Sequence, residues 1–94
     1  MRIPLIFNAS PKAIYYRKNL VGVPFNTGKW RVVAENLKDS IIRIYHGSPT
    51  LFRSSVPLNG GQVIIEFKKP GVMAVKIVNP GSEYSISIYA ERLS

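Results

Sequence analysis

Cysteine is absent from these 94 residues, long apolar runs are absent too, and the first 34 positions hold no acidic side chain. Without cysteine there are no disulfides, no thiolate metal sites and no cysteine nucleophile. No stretch approaches the ~18–20 apolar residues that a membrane-spanning helix needs. The opening Met1-Arg2-Ile3-Pro4-Leu5-Ile6-Phe7-Asn8 is too short for the core of a signal peptide, and Pro4 suits a strand edge. The chain is therefore expected to be soluble and unprocessed, although a form already trimmed of a leader would read the same way.

The residues of catalysis are equally scarce. There is one histidine, His46, and a Ser–His–acid reading with Asp39 or Glu35 lacks a glycine-framed nucleophile turn. One histidine, no cysteine and five dispersed acids cannot build a closed zinc site within one chain. Glu66 with Glu83, or Glu35 with Asp39, could form a carboxylate pair, but such groups read as solvated charges opposite lysines. Asn59-Gly60-Gly61 lacks the lysine of a phosphate-cradling loop and reads as a hairpin turn with a bulge. No enzyme activity, cofactor, metal or small-molecule substrate is expected.

What the chain does have is strand pattern. Apolar residues alternate at Val63, Ile65 and Phe67, at Met73, Val75 and Ile77, and at Tyr84, Ile86, Ile88 and Ala90. Turn signals at Asn59-Gly60-Gly61, Lys69-Pro70-Gly71 and Asn79-Pro80-Gly81 punctuate them, so this third reads as an antiparallel meander. Pro70-Gly71 and Pro80-Gly81 each fit the centre of a type II turn. Strands are expected at about 3–8, 13–17, 29–35, 41–46, 62–68, 72–78 and 84–91, with a short one near 50–53. Seven or eight such strands in one domain predict an all-β, two-sheet antiparallel sandwich of jelly-roll type over residues 1–94. One segment competes: Ser10-Pro11 ahead of Lys12–Lys18, with Gly22 as a stop, also reads as a short helix.

Two surfaces follow from the pattern. Several strands are apolar on both faces, which is usual only where a sheet is covered on both sides. No amphipathic helix offers a third layer, so Val33, Ile41, Ile64, Val72 and Val78 are candidates for an outward assembly face. The net charge of +8 is uneven: residues 1–34 hold six of the thirteen basic side chains and none of the five acids. Tyr15, Tyr16, Arg17 and Lys18, with Lys29 and Arg31, form a candidate patch for an anionic partner. On a strand only one Tyr–cation pair of Tyr15–Lys18 points outward, which leaves the other tyrosine in the core. Trp30, with Val32 and Ala34, reads as a core anchor.

From Trp30 onward the order of features is an aromatic-led strand (Trp30-Arg31-Val32-Val33), then Ile42-Arg43-Ile44-Tyr45, then Gly60-Gly61. A strand reaching Phe67, Pro70-Gly71, a strand ending at Asn79 and a closing strand from Tyr84 complete it. This order resembles the small β-sandwich interaction modules of the GOLD type. The resemblance covers about two-thirds of the chain and implies a non-enzymatic scaffold that binds proteins or builds assemblies; no coiled coil, lipid-binding domain or membrane anchor accompanies it. The expected function is a structural or interaction protein that assembles with itself or a larger complex, such as a virion or surface assembly. The alternative is a basic nucleic-acid-binding module using the Arg/Lys/Tyr residues of the N-terminal third.

Overall fold

In the computed structural model, residues 2–81 and 84–94 are described. Their elements run β1 (Arg2–Ala9), α1 (Pro11–Tyr15), β2 (Val23–Phe25), β3 (Gly28–Glu35), β4 (Ile41–Ser48) and β5 (Leu51–Pro57). A 3-10 turn over Asn59–Gly61 leads on to β6 (Gln62–Phe67), β7 (Gly71–Asn79) and β8 (Ile86–Arg92). The pairing is that of one long antiparallel ribbon folded on itself. The first strand pairs with the last, the second with the second-last, β3 with β6, and β4 with β5. Rolling that ribbon brings β3 beside β8 and β4 beside β7. The result is sheet A, ordered β1-β8-β3-β6, and sheet B, ordered β2-β7-β4-β5. This is the jelly-roll sandwich expected from strand number and spacing.

One face of each sheet supplies the core. Sheet A contributes Trp30, Val32, Ile65, Phe67, Ile86, Ile88 and Ala90; sheet B contributes Phe25, Ile42, Ile44, Met73, Val75 and Ile77. Every one of these lies on the inward parity of its strand, as the alternation requires. Each large aliphatic buried this way stabilises the fold by roughly 1.5–3 kcal/mol relative to leaving it in water. Phe25 bridges the layers at one end, edge-on to Trp30 at 4.9 Å and stacked on Phe67 at 6.1 Å. Trp30 keeps its indole N–H satisfied by donating to the Asn26 carbonyl at 3.1 Å.

Four local expectations are overturned. Residues 13–17 are not a strand: α1 occupies Pro11–Tyr15, because Pro11 opens the first turn and Pro11 and Ile14, three residues apart, bury together. The N-terminal strand is not left alone by this, since β8 pairs with it. The last third is not a meander, because β6, β7 and β8 alternate between the sheets. Asn59-Gly60-Gly61 is not a hairpin turn: it carries the chain from β5 in sheet B to β6 in sheet A. Gly71, finally, lacks the positive φ that a type II turn asks of it and lies at the start of β7. It is required for space, since a Cβ there would sit 2.5 Å from the Gly47 carbonyl oxygen and 2.6 Å from the Phe67 ring. Gly81 does adopt φ +53°, and its N–H donates to Asn79 Oδ1 at 3.1 Å. No helix among the described residues is long and apolar enough to cross a membrane.

Candidate functional site

The short β2 creates the site. It pairs with β7 only at Gly71, Val72 and Met73, so the edge of β7 beyond Met73 has no strand beside it. α1 packs there instead, with Pro11 and Ile14 inward. After Tyr15 the helix ends: Tyr16 sits at φ −86° and ψ 2°, and the Arg17 N–H donates to the Ile14 carbonyl at 3.1 Å. Residues 16–22 then return to β2 without regular structure. A Cβ built on Gly22 would meet Phe52 at 3.5 Å and Val72 at 3.6 Å, so this segment lies across the outer face of sheet B.

Between that segment and the sheet is a cleft of about 780 Å³. One wall is Tyr15, Tyr16, Arg17, Lys18, Asn19 and Leu20; the other includes Arg43 and Tyr45 of β4 and Lys76 and Val78 of β7. Among the described residues, four cations and three tyrosines line it, and no carboxylate does. Both Tyr15 and Tyr16 are outside the core, at 44% and 76% exposure, with their rings edge to face at 5.1 Å. The expectation that one of them is buried fails because the segment is a helix end, where alternation does not apply.

Arg43 and Lys76 face each other directly across β4 and β7. Like charges in that position repel. Arg43 is held by two hydrogen bonds to Ser55, from Nε to the hydroxyl at 3.1 Å and from Nη2 to the carbonyl at 3.2 Å. The Lys76 ammonium lies 5.8 Å from the centre of the Tyr45 ring. Neither Arg17, Lys18, Arg43 nor Lys76 has an ion pair among the described residues. The site is thus a cluster of positive charges, Arg43 among them held in place, with aromatic surface between them.

The candidate anionic patch is divided by the fold. Tyr15, Tyr16, Arg17 and Lys18 line the cleft, whereas Lys29 and Arg31 lie on the outer face of sheet A, across the sandwich. There Lys29 is paired in register with Glu66, and Arg31 Nη1 donates to Glu91 at 3.4 Å. Arg43, Tyr45 and Lys76 take the place expected for Lys29 and Arg31. Their outward parity is plain in Arg43-Ile44-Tyr45 and Val75-Lys76-Ile77; what sequence could not show is that β4 and β7 are neighbours.

The candidate assembly face is divided as well. Val33 and Ile64 belong to sheet A; Ile41, Val72 and Val78 belong to sheet B. Val72 is half-buried beneath the Gly22 segment, which is the third layer the sequence seemed to lack. Ile41, Ile64 and Val78 are open to solvent at 53%, 57% and 45%. These five residues therefore do not form one patch.

His46 lies within β4 rather than at its end, half-buried, and its ring stands edge-on to Phe67 at 6.3 Å. Burial lowers its pKa below the ordinary 6.5. Asp39 precedes the far end of that strand, five or more residues away at ~3.3 Å each, and Glu35 closes β3 just before the same connection. Glu83 lies outside the described residues, so its pairing with Glu66 has no structural account. Among the described residues no three His, Cys, Asp or Glu side chains come together as a metal site. No protein-family model, curated protein or solved structure matches the chain.

Proposed function

We propose that the protein is a non-enzymatic structural subunit that assembles with copies of itself through the bare edge of β6. The carrying observation is that the two flanks of the sandwich are finished differently. Where β1 and β2 end the sheets, α1 packs against β7 and fills the flank. On the other flank β5 and β6 end their sheets, packing chiefly on β4 and β3. β5 carries the features that discourage edge pairing: Pro57, Arg53 and a register shift at His46/Gly47. β6, Gln62–Phe67, has no proline and no register shift, carries the single charge of Glu66, and leaves Ile64 57% exposed.

A row of unpaired backbone groups beside an exposed isoleucine is a template for another strand. Two β6 strands meeting edge to edge would continue sheet A across two protomers. The eight-stranded jelly roll is an architecture that capsid subunits use, which supports the reading by analogy only. The resemblance to GOLD-type modules points the same way. The test is light scattering over a concentration series. A mass rising toward two protomers, restored to one by Ile64→Lys, is the expected result. A single protomer at every concentration would remove the proposal.

A further inference from the structure

We infer that the cleft between residues 15–20 and the outer face of sheet B binds single-stranded nucleic acid. The inference is independent of assembly through β6, which lies on the other sheet. Three features of the cleft converge on it.

The charge is the first. Arg17, Lys18, Arg43 and Lys76 surround one cleft with no carboxylate among the described residues of its walls. Arg43 and Lys76 are opposed across two strands, an arrangement that repels until an anion lies between them. Arg43 is also oriented in advance, because Ser55 holds Nε and Nη2. Phosphate oxygens are the anions that guanidinium and ammonium groups recognise through such charge-assisted hydrogen bonds.

The rings are the second. Tyr15 and Tyr16 stand exposed in the same wall as Arg17 and Lys18, while Tyr45 supplies the floor. Tyr16 stays 76% exposed even with its ring against Tyr15, which leaves aromatic surface for a base to stack on. Alternating cations and aromatic faces are the means by which single strands are held without sequence preference.

Size and strandedness are the third. At about 780 Å³ the cleft is within the roughly 300–1,000 Å³ range of sites that enclose a compact ligand. It has room for a short run of nucleotides with splayed bases. A duplex keeps its bases stacked on each other, so Tyr15 and Tyr16 would go unused.

The experiment is fluorescence anisotropy of a labelled oligothymidylate with the full chain, alongside the same sequence as duplex and vesicles rich in phosphatidylserine. Binding to the single strand should be tighter than to either, with a log–log salt slope of about −3, from four cations at ~−0.7 per phosphate. Tyr16→Ala should weaken binding on the order of tenfold while Tyr16→Phe retains it. Lys76→Gln should reduce the slope by about 0.7, and Lys29→Gln on sheet A should leave it unchanged. Ile64→Lys should bind the oligonucleotide as the parent does, which separates this result from the assembly test. Equal losses from Lys76→Gln and Lys29→Gln, no loss from Tyr16→Ala, or a preference for duplex or vesicle would each overturn the inference.

Discussion

The outer face of sheet A balances its charge, and the outer face of sheet B does not. The outward positions of sheet A carry Arg2, Lys29 and Arg31 against Glu35, Glu66 and Glu91. Glu91 lies between Arg2 at 3.9 Å and Arg31 at 3.4 Å, and Arg2 also covers the Tyr89 ring at 4.7 Å. The strands of sheet B carry Arg43, Arg53 and Lys76 with no acid at all, and the segment above them adds Arg17 and Lys18. Counted along the chain, the excess positive charge belongs to the first third. Counted on the fold, it belongs to one face. Folding the ribbon carries Lys29 and Arg31 to the compensated sheet and brings Arg43 and Lys76 to the uncompensated one. A partner responds to charge in space, so the second count is the one that bears on function.

The strongest way to break this comparison is to remove what the two faces share. Ile44 is fully buried among residues from both sheets. Ile44→Ala should cost about 2–5 kcal/mol, read as a lower urea midpoint at unchanged m-value. Because one core supports both faces, oligonucleotide binding and self-association should decline together in that variant as denaturant is added. If one survives conditions that abolish the other, the sheets are separable units and the comparison loses its footing.

A smaller effect tests the charges themselves, and its sign differs between the sheets. Lys76→Glu places an acid opposite Arg43 and should stabilise the protein by about 0.2–1 kcal/mol. Glu91→Lys places a third cation between Arg2 and Arg31 and should destabilise it by a similar amount. Both changes are measured by chemical denaturation at low salt, and both should shrink at high salt as the charges are screened. Two shifts of the same sign would mean that the faces do not differ electrostatically.

Much of this contrast was visible as parity and none of it as adjacency. The alternation of Met73, Val75 and Ile77 marked the inward side of β7 correctly, and the same rule puts Arg43 and Lys76 outward, although neither is among the sequence's candidate site residues. It carried no record of which strands pair, because an antiparallel ribbon that rolls up joins strands far apart in sequence, such as β1 with β8. Turn chemistry misled for a related reason. Asn59-Gly60-Gly61 serves a crossing between sheets with the same residues that would serve a hairpin, and Gly71 answers to the Phe67 ring rather than to a turn. The helix at Pro11–Tyr15 was legible as an alternative through Ser10-Pro11, but the strand character of Ile14-Tyr15-Tyr16 competed with it. The cleft needed that helix to end where it does, so the site became readable only with the fold.

The smallest expected effect concerns neither face but the space between the sheets. His46 is a half-buried titratable residue there, opposite Ser54 on one neighbour and Met73 on the other, with the Phe67 ring beside it. None of these three titrates, so burial alone sets its behaviour, and burial disfavours the charged imidazolium. The folded pKa is therefore below the unfolded value of about 6.5, and between the two the unfolded chain binds more protons. Stability should be level above that value, fall as pH drops through it, and level again once the folded form also protonates. His46→Gln should flatten this part of the profile in urea titrations at stepped pH. A wild-type profile that rises toward acid would place the imidazolium in a favourable environment and contradict the burial of this ring between the sheets.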